Sequence, residues 1–235
     1  MTTIRIPQTT AAAAPSPATV RGRTRLQDNL LICGILAAFA YVVTDVLGAL
    51  RYPGYDFTSQ GVSELMAVGA PTKDLVNSVF IVYGVLAVAL AVGVLRESSG
   101  RRTLRVTGLL LLGYALAGMF GSRFPAYPRG AGGLNASLPH IILTAVLVLL
   151  MLGALGFGAY ALGTRFRIYS LVTLGTIVAL GVASGVYGSR LAAQQSTPGF
   201  GIVERGLIYA FLVWAAVLGV ALVRRHAEPA VGRAE

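Results

Sequence analysis

Six runs of apolar residues, each close to the length of a bilayer crossing, decide what this chain can become. They lie at about Asn29–Leu50, Leu75–Leu95, Val106–Ser122, Leu138–Leu162, Ile168–Gly188 and Glu204–Val223. About 20 residues of α-helix span the hydrocarbon core. In lipid a helix satisfies every backbone N–H and C=O within one segment, which an isolated strand cannot do. Composition agrees: 55% of the chain is hydrophobic and 12% charged, with a mean hydropathy of +0.73. A soluble domain carries about 25% charge, so the polar surface here is too small to cover a globule. The expected fold class is all-α, an integral membrane bundle of six transmembrane helices with a short interfacial helix in the first outer loop. The third run is the shortest, but losing it would reverse its neighbours, and the charge distribution opposes that.

Six spans bring both termini to one side. Thirteen of the nineteen Lys and Arg residues fall on that side, in the termini and in the connections after spans two and four. The positive-inside rule then puts both termini in the cytoplasm and the chain in the cell membrane. The acids sharpen the contrast. Asp28, Glu97, Glu228 and Glu235 belong to the inner side, and Asp45, Asp56, Glu64, Asp74 and Glu204 to the outer one. The net charge of +10 is therefore mostly a topology signal, aided by anionic lipid at the inner face. No folded basic module remains for nucleic acid, so nucleic-acid binding is excluded and membrane lipid is the expected partner. Oligomeric state is not readable.

Residues 1–28, with the low-complexity TTAAAAPSPATVRGRTR, read as a disordered cytoplasmic tail; residues 29–223 are the membrane domain and 224–235 a second tail. The Arg-bearing start mimics a signal peptide, but the following run is too long, contains Asp45 and ends in GALRYPG with no cleavage site. It reads as an uncleaved first span. The single cysteine, Cys33, permits no intramolecular disulfide. Span five carries Gly181, Gly185 and Ser189 at four-residue spacing. Such ladders let helices approach closely, here expected within the bundle itself rather than at a dimer face.

The connection YPGYDFTSQGVSELMAVGAPTKD, Tyr52–Asp74, is long and holds three carboxylates. Thr58 or Ser59 can cap a short helix through Gln60–Met66. Val62, Leu65 and Met66 then form an apolar stripe, Ser63 and Glu64 point elsewhere, and Gly69-Ala70-Pro71 ends the element. Further polar groups gather at the same height. Asp45 lies about 7–8 Å below the outer boundary at 1.5 Å per residue. Arg123 follows span three, His140 opens span four, Arg190 follows span five, and Glu204 and Arg205 open span six. An ionisable group within a span is functional by default and needs a partner, for which Arg205 is favoured. His140 at a helix N-terminus is held neutral, as base, acceptor or boundary residue. Glu204 there is favoured as a cap, and Glu64 is either solvated or an acceptor for Arg123 or Arg205. The candidate ligand-binding set is Asp45, Ser63, Glu64, Arg123, His140, Arg190, Glu204 and Arg205. No metal or cofactor is expected: there are two His, His140 and His226, and no hydrolase, P-loop, zincin or dinucleotide fingerprint.

Several motifs carry a family likeness. YPG and SQGVSEL follow span one, NSVFIVYG opens span two and FP follows span three. His140 opens span four, and Glu204-Arg205 precedes Trp214 in span six. By these, about Asn29–Val223 resembles the bacterial membrane family called domain of unknown function 998, SQGVSEL being the most specific element. That family often has an acid soon after FP, where this chain reads AYPRG, so no catalytic acid is carried over to that loop. The resemblance implies six helices and an outer-facing polar site, and no reaction.

Three functions compete. The first is a binding or structural protein holding a lipid headgroup or small ligand at the outer mouth, with Arg123, Arg190 and Arg205 meeting a phosphate. The second is an enzyme acting on a lipid or lipid-linked substrate, with Glu64 or Asp45 as general base. The third, a proton-coupled transporter using Asp45, lacks the internal repeat and broken helices of such proteins.

Overall fold

The computed structural model describes residues 25–127, 133–193 and 195–227. Six long helices appear: α1 (Arg25–Arg51), α2 (Lys73–Glu97), α3 (Arg102–Met119), α4 (Gly133–Ala159), α5 (Thr164–Ala192) and α6 (Phe200–Ala227). Two 3₁₀ turns, Val62–Met66 and Gly121–Arg123, complete the regular structure, and no strand occurs among the described residues. All six helices are long and apolar enough to cross a membrane, so this is a multi-pass membrane protein. Most of the tail expected at residues 1–28 lies outside the described residues, as do Arg129 and residues 228–235. Arg25–Asp28 form the first turn of α1, and residues 224–227 extend α6.

Each helix packs against the next in sequence, and α1 closes against α6. Connections of a few residues, Ser98–Arg101 and Tyr160–Gly163, make their flanking helices antiparallel. Consequently the α1–α2, α3–α4 and α5–α6 connections share one end of the bundle. The α2–α3 and α4–α5 turns share the other.

Apolar side chains face outward as well as inward. Phe39 and Val182 are each 68% exposed, which in water would be a liability and in lipid is the ordinary state. Because lipid is as apolar as a leucine, helices must associate through close packing and polar contacts. Glycine supplies the closest approaches. At the level of Leu30–Leu31 the α1 backbone is met from one side by Gly93 of α2 and from the other by Gly219 of α6. A Cβ on Gly219 would collide with the Leu31 carbonyl oxygen, and one on Gly93 would lie 3.2 Å from the Leu30 carbonyl carbon. Gly158 of α4 leaves room for the fully buried Trp214, whose indole N–H donates to Ser170 Oγ at 2.9 Å. Trp214 thus ties α4, α5 and α6 together.

The expected ladder on α5 does not have this role. A Cβ on Gly181 would only touch Leu207 at 3.8 Å, and nothing lies within 4 Å of Gly185. The reason is that α5 turns most of its surface outward: only 11% of its apolar window is buried.

Gly219→Val should therefore destabilise the protein by about 1–3 kcal/mol in a thermal or SDS unfolding series. Gly185→Val should change stability by less than about 0.5 kcal/mol. Equal effects would mean that backbone approach between α1 and α6 does not hold the bundle closed.

Candidate functional site

The connection between α1 and α2 is an ordered strap laid over one end of the bundle. Its first turn is closed by Asp56, whose carboxylate accepts the Thr58 hydroxyl at 2.7 Å and the Thr58 N–H at 2.9 Å. Gln60 completes that turn, its N–H donating to the Asp56 carbonyl and its side-chain oxygen accepting the Asp56 N–H. The hydroxyl of Thr58, with the other donors, lowers the Asp56 carboxyl to about 2. Its folded value lies below the ordinary carboxylate value of about 4. The turn's support is therefore present above that ordinary value and fades as pH falls towards 2.

The short helix expected through Gln60–Met66 takes the form of a five-residue 3₁₀ turn, Val62–Met66. Neither Thr58 nor Ser59 caps it. Glu64 instead reaches back, one carboxylate oxygen accepting the Gly61 N–H and the other the Gln60 side-chain amide, both at 3.0 Å. Val62 and Leu65 are buried against α1 and α2 side chains, with Met66 partly buried beside them, so the apolar stripe faces protein. The far end of the strap is pinned by the Thr72 hydroxyl on the Leu65 carbonyl and the Val68 N–H on the Ala126 carbonyl.

Arg205 holds the strap to the bundle. It lies in the second turn of α6, opposite Asp45 in the last two turns of α1, and the two are 3% and 0% exposed. The guanidinium meets the carboxylate with both prongs: Nε donates to Oδ2 at 2.8 Å and Nη2 to Oδ1 at 2.9 Å. Nη2 also donates to the Tyr55 hydroxyl at 2.7 Å, and Nη1 to the carbonyls of Phe57 and Gln60, both at 2.8 Å, and of Gly201 at 3.2 Å. All five guanidinium hydrogens thus have a protein acceptor. The plane also lies 3.6 Å from the centre of the Phe57 ring. Tyr55 passes its own hydrogen to the Gln60 and Gly61 carbonyls. Burial pushes that hydroxyl above its usual pKa, outweighing the pull of Arg205. The Tyr209 hydroxyl, one turn beyond Arg205, donates to Asp45 Oδ2.

Glu204 does not cap its own helix. Because α6 starts at Phe200, Glu204 is already past the first turn, and its carboxylate accepts the Val62 N–H at 2.7 Å. The first turn of α6 is served by the strap instead, the Ile202 N–H donating to the Thr58 carbonyl, and just before the helix the Thr197 hydroxyl donates to that of Ser59. Two glycines permit this contact. A Cβ on Gly61 would strike the Glu204 carboxylate, and one on Gly201 the Gln60 and Phe57 carbonyls.

The candidate residues thus divide. Asp45, Glu64, Glu204 and Arg205 converge on the strap, and Ser63 is half-buried on the 3₁₀ turn. His140 lies in the second turn of α4, which begins at Gly133 and runs through Pro139; its Nδ1 donates to the Phe124 carbonyl at 2.9 Å. Arg123 and Arg190 are exposed at the same end of the bundle and do not touch the Asp45–Arg205 pair. Of the three arginines expected to meet a phosphate, Arg205 has all its donors engaged within the protein, and Arg123 and Arg190 are exposed. Sequence reasoning missed Tyr55, Phe57, Gln60 and Tyr209 as partners. Tyr209 alone had a local signal, lying one helical turn from Arg205. Beneath Asp45 an aromatic column runs inward, from Tyr209 to Tyr41 at 6.5 Å and Tyr83 at 5.1 Å, then to a cavity of about 20 Å³ beside Tyr114. Among the described residues no group of three or more His, Cys, Asp or Glu side chains gathers to hold a metal.

Removing one member of a buried pair leaves an uncompensated charge, at a cost of about 3–5 kcal/mol. Asp45→Leu and Arg205→Leu should each destabilise by that order. The double variant should lose less than the sum, with a coupling of roughly 0.5–3 kcal/mol in an unfolding cycle. Arg205→Leu should also expose the strap to proteolysis, because it alone removes the bonds to Phe57 and Gln60.

Residues 35–221 match the family described as "Protein of unknown function (DUF998)", from the middle of α1 to near the end of α6. No curated protein and no solved structure matches the chain. With the strap, the Asp45–Arg205 pair and most of the membrane region inside that match, the chain belongs to the DUF998 family.

Proposed function

We propose that this DUF998 protein is a binding protein of the cell membrane that holds a lipid headgroup or another small ligand at its strap-covered end. That end faces outward, both termini are cytoplasmic, and the strap lies at the membrane–water interface. The orientation is supported by the placement of thirteen of the nineteen basic residues at the opposite end or in the tails.

One observation carries the binding reading: the strap is fixed by a buried guanidinium with every donor used. A loop that only joined two spans would need no such anchor. Fixing a polar surface in advance removes the ordering cost that a mobile loop would impose on a ligand. On this reading Asp45 and Arg205 are positioning residues. Ser63 and Glu64 on the strap, with Glu204 behind them, supply polar contacts, and Arg123, His140 and Arg190 at the same end supply the rim. Arg123 and Arg190 are exposed cations available to an anionic group.

The alternative of an enzyme acting on a lipid or lipid-linked substrate is less well supported. Asp45 is gripped by Arg205 and Tyr209, and Glu64 accepts the Gly61 N–H and the Gln60 side-chain amide, which leaves neither placed as a general base. Proton-coupled transport through Asp45 meets the packed rings of Tyr41, Tyr83 and Phe80 beneath it.

Native mass spectrometry of the protein with a lipid extract tests the binding reading. Wild type should retain one species that Glu64→Gln, His140→Ala and Arg123→Gln each weaken. Retention in all three variants would defeat the reading, and turnover of the species would favour the enzyme. For the orientation, single cysteines are placed at the exposed Thr58 and Ser99 in a Cys33→Ala background. The first should label from outside and the second only after lysis; the reverse pattern would invert the topology.

A further inference from the structure

The opposite end of the bundle carries a feature of different chemistry. The tight Tyr160–Gly163 turn starts α5 directly at Thr164-Arg165-Phe166, and the last turns of α6 bring Arg224 and Arg225 alongside. Between them is a cleft of about 420 Å³. Its wall is apolar, formed by Leu162, Phe166 and Ala221, and its rim is cationic, formed by Arg165, Arg224 and Arg225. All three arginines are exposed, and none forms an ion pair among the described residues. Their neighbour Arg167 is engaged differently, its guanidinium lying 4.9 Å from the centre of the Tyr160 ring.

Like charges gather at a cost unless something offsets them, and here no acidic side chain in the described structure does so. The three guanidinium groups are therefore open to an anion from outside the described bundle. Its chemistry follows from depth. The cleft opens where two membrane helices end, at the level where hydrocarbon gives way to headgroups. From it the α5 surface descends through Ile168 and Val172, 58% and 63% exposed. A free phosphate would use the arginines and leave the apolar wall and this track unused. A phospholipid uses all of them, because basic pockets between helix ends suit an anionic headgroup while its chains follow the outward apolar surface. Arginine's fork suits a phosphate better than a point charge would.

We propose that the cleft between the α4–α5 turn and the C-terminal turns of α6 is a binding site for one anionic phospholipid, its phosphate on Arg165, Arg224 and Arg225 and its acyl chains along Phe166, Ile168 and Val172. The site lies at the other end of the bundle from the strap and does not depend on the function proposed there.

The test is native mass spectrometry of the full chain in detergent micelles, titrated with phosphatidylglycerol and phosphatidylcholine of identical acyl chains. Wild type should retain phosphatidylglycerol in preference. Each arginine contributes roughly fivefold, so R165Q/R224Q/R225Q should lose about 100-fold of that preference and R224Q alone about fivefold. R165K/R224K/R225K, which keeps the charge, should retain most of it. R96Q/R102Q/R105Q removes the same charge from the α2–α3 turn at the same end and should stay within about twofold of wild type. Equal losses in the two glutamine triples would reduce the effect to diffuse surface charge and overturn the site. So would equal retention of both lipids by wild type, or full competition by glycerol phosphate at matched concentration. Unfolding midpoints in lipid-free micelles separate lost binding from lost folding. If the glutamine triple unfolds, R224Q and the lysine triple take its place: a fivefold loss in the first with retention in the second supports the site, and no loss in R224Q overturns it.

Discussion

The buried pair between Asp45 and Arg205 is the constraint on which the strap-covered end of this structure depends. Both groups are removed from water, and desolvating a carboxylate and a guanidinium costs several kcal/mol each unless geometry restores what hydration supplied. It is restored here by a two-pronged contact, a tyrosine hydroxyl on the carboxylate and carbonyl or hydroxyl acceptors for every remaining guanidinium hydrogen. The consequence is geometric. Arg205 cannot be satisfied unless α1, α6 and the Tyr55–Gln60 segment occupy their places together. Closure of the helix ring, the start of α6 and the path of the strap therefore form one cooperative unit.

Elsewhere the bundle is held by steric means. Lipid offers no hydrophobic drive for helix association, so the structure relies on sites where a missing side chain admits a neighbouring backbone or ring. Gly93 and Gly219 admit α1, Gly158 admits Trp214, and Gly61 and Gly201 admit the strap to α6. The two kinds of contact divide the protein by depth. Polar bonds dominate at the strap, where a long irregular backbone has N–H and C=O groups to satisfy. Glycine contacts and aromatic packing dominate in the spans, where the backbone is already satisfied within each helix.

The two ends of the bundle consequently offer different surfaces. The strap presents acids and hydroxyls whose bonds are largely internal, a surface shaped before any ligand arrives. At the other end Arg165 beside the α4–α5 turn and Arg224 and Arg225 of α6 lie above an apolar wall, with no ion pair among the described residues. The separation matches the charge asymmetry along the chain, in which basic residues collect beyond the ends of spans two, four and six.

Hydropathy alone determined the class of this protein and the number and approximate limits of its helices, because a bilayer crossing is a sum over about 20 consecutive residues and needs no knowledge of neighbours. It also marked Asp45 as a residue in need of a cation, since an isolated carboxylate in a span is untenable. The tertiary structure decided what local pattern does not encode. Arg205 and Asp45 are 160 residues apart, and only the closure of α6 on α1 makes them neighbours. The same closure uses up the Arg205 donors that sequence reasoning had reserved for a phosphate. The amides at the start of the 3₁₀ turn are held by Glu64 from within the strap and by Glu204 from 142 residues beyond Val62, and a propensity argument sees only the first. The α5 ladder is visible in sequence at full strength, yet whether a small residue meets a backbone or open lipid depends on where the neighbouring helix lies, and that is set by the whole bundle.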